Sequence, residues 1–318
     1  MKTVWVNTPL RDEHRRWLEE AAAGRCRLVY SAETCPEAEA LIGALPVEAL
    51  GALPQLQWFH LVWAGVDKYP AAEMPAGVAF TNGSGAYGAY IAEHMLACIL
   101  SLYRQLPHYA ALQRQHIWDN CWQEGTLEGK TVLILGTGDL GSSLARRLRA
   151  FDCRVVGLCR RPRPLPHFDQ VVGIEALDQL LPQADVVACV LPGTRETAGL
   201  LDRRRLFSLK PGAILVNCGR GTVLDTAALA EAIPAVPLLG CALDVTDPEP
   251  LPPESPLWDM EQVILTPHVS GISFGHLPAC EDRIYRLAAE NLRRWLDGAP
   301  LLNQVDLAAG YRLRETGA

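Results

Sequence analysis

Residues 131–151, TVLILGTGDLGSSLARRLRAF, run an apolar strand into Gly136-Thr-Gly138-Asp139-Leu140-Gly141. Leu140, Leu144, Leu148 and Phe151 then recur at helical spacing. In such a passage Gly136 permits the tight turn, Gly138 lets a pyrophosphate approach the backbone, and Gly141 lets helix pack on strand. The free N–H groups of the helix N-terminus face the phosphates. The G-x-G-x-x-G spacing alone is common in ordinary turns. With a strand before it, a helix after it and a second strand RVVGLC following, it predicts a dinucleotide-binding βαβ unit.

The end of that second strand bears on which dinucleotide. A site for NAD places Asp or Glu there, to accept hydrogen bonds from the ribose hydroxyls. This chain has Cys159-Arg160-Arg161-Pro162-Arg163 instead. No carboxylate is present to repel a 2′-phosphate, and guanidinium forks at Arg160 and Arg161 suit one. NADP(H) is the preferred reading and NAD(H) stays possible, because the same residues also read as a basic surface loop.

Three further passages carry reactive side chains: AILVNCGRGTVLD with Arg220, ALDVTDPEP with Asp244 and Glu249, and VILTPHVSG with His268. Taken singly, each reads as ordinary: a solvated arginine in a glycine-rich turn, a charge on a proline-rich loop, a structural histidine. In this order, and together with WAGVD (63–67), LPGTRETAGL (191–200), LDVTDPEPLPPESPLW (243–258) and the fingerprint, they are specific. Over nearly its whole length the sequence resembles the D-isomer-specific 2-hydroxyacid dehydrogenases. Within them, PPESPLW, the basic loop and the tail NQVDLAAGY look most like the glyoxylate/hydroxypyruvate reductase A group and its NADPH-dependent 2-ketoacid reductase relatives.

The resemblance implies roles. Arg220 binds the substrate carboxylate and polarises its 2-oxo group, His268 donates the proton, and Glu249 holds the imidazole. Asp244 bonds the nicotinamide carboxamide, and the backbone at Ala64, Gly65 and Val66 holds the substrate carboxylate. Leu191, Pro192, Thr197, Cys218 and Gly219 join Gly136, Gly138, Asp139, Leu140, Gly141, Arg160 and Arg161 around the cofactor. Elementary chemistry agrees with this division. Reducing a ketone puts negative charge on its oxygen, so a cation and an acid belong there. A carboxylate beside histidine favours the protonated ring, and arginine suits a carboxylate because its fork is bidentate. His94, in a long apolar helix, reads as structural, like His14, His60 and His116.

These residues need a scaffold, and the rest of the chain supplies an α/β one. Hydrophobic residues make up 49% of 318 and charged residues 20%, enough for a large buried core. The length suggests two domains. Short Val/Ile/Leu-rich runs, TVLILG, RVVGLC, QVVG, DVVACVLP, AILVNCG, LLGCALDV and VILTPH, read as buried parallel strands. An earlier set (KTVWVN, CRLVYS, LQWFHLVWAG, GVAFTN) makes a smaller unit, while Ile42-Gly43-Ala44-Leu45 and Ser84-Gly85-Ala86-Tyr87 read as substrate loops. Helices are expected near DEHRRWLEEAAAG, from about Gly88 to Arg104, and through CEDRIYRLAAENLRRWLDG.

Two doubly wound parallel-sheet domains are therefore expected: a Rossmann nucleotide domain and a flavodoxin-like substrate domain. The resemblance makes the substrate domain discontinuous, 1–99 and 283–318 around nucleotide residues 100–282, with the active site in the cleft. It also implies a homodimer whose arm is the aromatic segment from Tyr109 to Trp122. A net charge of −7 argues against nucleic acid, and no apolar run is long enough for a membrane span. Ten cysteines without C-x-x-C pairs read as reduced thiols of a cytoplasmic protein, with no metal site.

The activity expected from the resemblance is NAD(P)H-dependent reduction of glyoxylate, hydroxypyruvate or a related small 2-oxo acid to a D-2-hydroxy acid. One alternative is an NAD-dependent dehydrogenase of the phosphoglycerate dehydrogenase type. The other is a non-catalytic, dinucleotide-sensing corepressor-like binding protein, which turnover of any 2-oxo acid would exclude. In reductase A relatives an aromatic residue aligns with Gly43, so narrow glyoxylate specificity does not follow.

Overall fold

The computed structural model describes residues 1–312. The chain forms two compact units, Met1–Tyr87 with Ile272–Ala318, and Gly88–Gly271. The boundaries expected at 99/100 and 282/283 fall inside the helices Gly88–Tyr103 and Pro278–Asp297. The units part before each helix instead, because a helix packs as one body. Residues 313–318 of the expected C-terminal segment lie outside the described residues.

In the first unit five parallel strands, β1 (Lys2–Val6), β2 (Cys26–Tyr30), β3 (Ala40–Gly43), β4 (Trp58–Leu61) and β5 (Ala79–Asn82), lie in the order β2-β1-β3-β4-β5. This is the flavodoxin-like order. Alternation along β1 sends Val4 and Val6 to one face and Trp5 to the other, and both faces are buried. Leu18 of the helix Asp12–Ala22 and Tyr285 and Leu292 of Pro278–Asp297 close the Val4 face. Leu41, Phe59 and Phe80 fill the other.

Strand β3 differs from the sequence reading, which placed Ile42 and Gly43 in a loop. Its residues ALIG are too few to show a period, yet pairing with both β1 and β4 makes it central and wholly buried. At its end a Cβ on Gly43 would lie 1.7 Å from Asn7 Oδ1. That oxygen accepts from the Ala44 amide at 3.1 Å, and Asn7 Nδ2 donates to the Ala44 carbonyl at 2.8 Å.

The second unit has seven parallel strands, β6 (Thr131–Leu135), β7 (Arg154–Leu158), β8 (Gln170–Val172), β9 (Val186–Cys189), β10 (Ile214–Asn217), β11 (Gly240–Leu243) and β12 (Val263–Leu265). Their order is β12-β11-β10-β9-β6-β7-β8, a Rossmann arrangement with one strand added. The order reverses between β6 and β9, and ligands of such sheets bind outside the carboxyl ends of the strands at that switch. The helix Gly88–Tyr103 belongs to this unit, with Ile91, Met95, Ile99 and Leu102 buried at the expected spacing. All ten cysteines are free thiols, eight of them buried. Among the described residues no helix is long and apolar enough to cross a membrane. Trp118 and Trp122 are 103% and 83% exposed, so neither packs within the chain.

Candidate active site

Strand β6 delivers the chain into the glycine turn. Gly136 takes φ +107°, a conformation that side-chain-bearing residues avoid, and its amide donates to the Leu158 carbonyl at 2.9 Å. Gly141 lies so close beneath that a Cβ would sit 1.9 Å from the Gly136 carbonyl oxygen. Gly138 is the N-cap of the helix Asp139–Leu148 and offers no side-chain cap to its amides, while nothing lies within 4 Å of where its own Cβ would stand. Open space over uncapped helix amides fits the pyrophosphate of a dinucleotide. Asp139 turns its carboxylate to the Gly88 amide, 2.8 Å away, and Leu140 is half-buried in the first turn. Gly141→Ala should abolish tight dinucleotide binding and lower Tm. Fluorescence titration with NADPH and a thermal melt check this, and unaltered binding would refute the packing argument.

Cys159, half-buried, follows β7 directly and is anchored by its amide to the Val172 carbonyl at 3.0 Å. Arg160 and Arg161 are exposed beside it. Arg160 Nη1 lies 3.1 Å from Glu196 Oε2, a pair the sequence reading missed, because the two residues stand in separate loops. Thr197 organises the Glu196 loop: its hydroxyl donates to the Pro192 carbonyl and accepts the Thr194 amide at 2.9 Å. Gly219 lets the next loop approach, since a Cβ there would lie 2.5 Å from the Leu191 carbonyl oxygen. Leu191, Cys218 and Gly219 are thereby brought together.

The reactive side chains follow three neighbouring strands. Arg220 comes just after β10, Asp244 directly follows β11, and His268 comes after β12. Asn217 shapes the Arg220 turn, its Oδ1 accepting the Gly219 amide at 3.1 Å and its Nδ2 donating to the Arg220 carbonyl at 3.0 Å. The half-buried Arg220 donates through Nη1 to the Gly219 carbonyl at 2.8 Å. Gly221 permits contact with the β11 loop, as a Cβ would meet the Thr246 carbonyl oxygen at 1.9 Å.

Glu249 Oε1 stands 2.7 Å from His268 Nδ1, with both side chains nearly half exposed. The carboxylate fixes a proton on Nδ1, which leaves Nε2 as the outward acid–base atom. His268 holds φ +53°, and its amide donates to the Asp244 carbonyl at 2.9 Å. Asp244 is buried. Its Oδ1 accepts the Thr266 hydroxyl at 2.6 Å and the Val269 amide at 2.9 Å, and its Oδ2 accepts the Ser270 amide at 3.1 Å. Burial raises its pKa, but the bonds from Ser270, Thr266 and Val269 outweigh that and hold the carboxyl below its usual range. Asp244 therefore knots the turn that carries His268, a role invisible in the sequence.

In the first unit the segment 64–66 follows β4. The Ala64 carbonyl accepts from Asn82 Nδ2 at 2.7 Å, Gly65 is half-buried, and Val66 is buried in the core. Tyr87 Oη donates to the Val62 carbonyl, two residues ahead of Ala64, at 2.8 Å.

Two parallel-stranded units, one of them carrying a dinucleotide fingerprint on a Rossmann-ordered sheet, define a two-domain α/β architecture with a dinucleotide-binding type of unit. Residues 96–270 match the family described as D-isomer specific 2-hydroxyacid dehydrogenase, NAD binding domain, and the chain belongs to the D-isomer-specific 2-hydroxyacid dehydrogenase family. It is 36% identical over 310 residues to the D-3-phosphoglycerate dehydrogenase of Mycobacterium tuberculosis (strain ATCC 25618 / H37Rv), a match covering 96% of this chain and 55% of the relative. The chain thus spans about half the length of that curated relative. A D-isomer specific 2-hydroxyacid dehydrogenase family protein from Aeromonas salmonicida subsp. salmonicida A449 superposes with TM-score 0.85 at 35% identity, covering 96% of this chain and 99% of that one. The D-isomer specific 2-hydroxyacid dehydrogenase from Xanthobacter autotrophicus Py2, solved with NADPH and MES, gives TM-score 0.83 at 30% identity, covering 98% and 99%.

Proposed function

We propose that the protein is an NADPH-preferring reductase of small 2-oxo acids, such as glyoxylate, hydroxypyruvate or a related ketoacid, giving D-2-hydroxy acids, of the glyoxylate/hydroxypyruvate reductase A kind. The observation that carries this reading is the Glu249–His268 pair at 2.7 Å, beside the Arg220 loop of the neighbouring strands. When bound, a reduced nicotinamide supplies the hydride. Arg220 neutralises charge developing on the substrate oxygen and pairs with its carboxylate. His268, held by Glu249, gives the proton from Nε2. Asp244 keeps acceptor capacity on Oδ2 for the nicotinamide carboxamide, and the helix amides at Gly138–Gly141 take the pyrophosphate. The exposed Trp118 and Trp122 suit the arm of a homodimer.

Arg160 and Arg161 support NADPH, as does the NADPH-bound Xanthobacter relative. A hydrogen bond to a charged group contributes about 1.5–3 kcal/mol, and exposure keeps this pair near the lower end. Arg160→Ala should raise KM for NADPH several-fold and leave NADH nearly unchanged. The decisive experiment is a steady-state screen of 2-oxo acids, each with NADPH and with NADH.

A second reading is an NAD-dependent enzyme of the phosphoglycerate dehydrogenase type. The name of the mycobacterial relative favours it, and so does the engagement of Arg160 by Glu196, which competes with a 2′-phosphate. A higher kcat/KM with NADH in the same screen selects this second reading. Absence of turnover with every 2-oxo acid removes both. Gly43 bears on the substrate: Asn7 fills the space a side chain there would need, so no aromatic wall stands at that point.

A further inference from the structure

His94 sits half-buried on the helix Gly88–Tyr103, one turn before Cys98, on a helix whose buried positions are mostly apolar. Its Nε2 lies 3.3 Å from Thr266 Oγ1 and 3.6 Å from Cys98 Sγ. Thr266 Oγ1 is in turn 2.6 Å from Asp244 Oδ1. A hydroxyl has one proton, and a carboxylate at that distance takes it. The Thr266 oxygen is then an acceptor on its other side, so a His94–Thr266 hydrogen bond requires the hydrogen on His94 Nε2, with the Cys98 thiol the other group facing that nitrogen. The result is a directed chain, His94 to Thr266 to Asp244, in which each bond sets the direction of the next.

Asp244 Oδ1 also takes the Val269 amide, and the Asp244 carbonyl takes the amide of His268. The far end of the chain is therefore the knot that shapes the His268 turn. We infer that His94 is a positioning residue: acting through Thr266, it fixes the Asp244 carboxylate and, with it, the turn that presents His268. The contact of Asp244 with bound cofactor rests on the function proposed above, whereas the hydrogen-bond chain does not.

Two measurements test this. In the ligand-free protein, imidazole 15N shifts should show His94 as the Nε2–H tautomer, with its signal displaced in Thr266→Val. An Nδ1–H tautomer overturns the inference, whatever the protein binds. The second is a double-mutant cycle on NADPH affinity and kcat with His94→Phe and Thr266→Val. Each single change should weaken NADPH binding by about 2- to 12-fold, the equivalent of one net hydrogen bond. The double variant should be no worse than Thr266→Val alone, and His94→Gln, whose amide nitrogen stands where Nε2 does, should restore the wild-type value. Losses that multiply in the double variant, or a His94→Phe protein that binds and turns over normally, overturn the inference. If His94→Phe does not fold, His94→Asn takes its place, being polar but too short to reach Thr266. Failure of wild type to bind NADPH or reduce any 2-oxo acid counts against the proposed function, and the tautomer then decides the role of His94 separately.

Discussion

His268→Ala should lower kcat by about 10²–10⁴-fold, the usual worth of a positioned general acid, while NADPH affinity stays nearly unchanged. The reason is local. His268 meets Glu249 through Nδ1 and leaves Nε2 outward, so the ring is oriented for proton transfer and does not hold the fold together. The turn itself is secured by backbone bonds, from the His268 amide to the Asp244 carbonyl and from the Val269 amide to the Asp244 carboxylate. Alanine removes the acid and leaves those bonds, although φ +53° costs it some strain. Steady-state kinetics beside a fluorescence titration separate the two effects. Glu249→Gln is the milder companion: it still accepts from Nδ1–H but no longer balances a protonated ring, so its kcat should fall less. A fully active His268→Ala protein removes the mechanism.

Arg220→Ala should damage both constants, with kcat down by about 10²–10³-fold, as when a single oxyanion donor is deleted, and substrate KM raised as well. In the proposed reaction one guanidinium holds the carboxylate and polarises the ketone, so ground-state and transition-state binding are lost together. Arg220→Lys separates them, because lysine keeps the charge and loses the planar fork. It should recover part of kcat and little of KM. The turn at this position is fixed by Asn217, which bonds the Gly219 amide and the Arg220 carbonyl, so neither substitution should unfold the loop. Loss of kcat with unchanged KM would assign the carboxylate to other donors.

Much of this was legible in the residues alone. The glycine turn is local: strand, three glycines and helix lie within one short segment, and each glycine answers to a steric demand that the spacing states. The buried strands of the second unit are runs of Val, Ile and Leu because parallel strands are covered on both faces, and the sequence shows those runs directly. Arg220, Glu249 and His268 are nominated together by the ordered motifs that resemble the family, and the fold sets the last two 2.7 Å apart.

Tertiary structure decided what depends on residues distant in sequence. Strand β3 has four residues and no period, and only its place between β1 and β4 makes it a strand. The placement of the helix Gly88–Tyr103 in the second unit follows from packing, since its apolar face fits either neighbour as far as periodicity tells. Glu196 beside Arg160 arises from two loops that the parallel sheet brings to one end. His94, Thr266 and Asp244 lie far apart along the chain, and a histidine in an apolar helix reads as structural until the hydroxyl in front of it is seen. Composition and spacing record what a segment does for itself, whereas a hydrogen bond across the fold exists only when two segments have arrived, and the direction of its proton is set by the partner beyond.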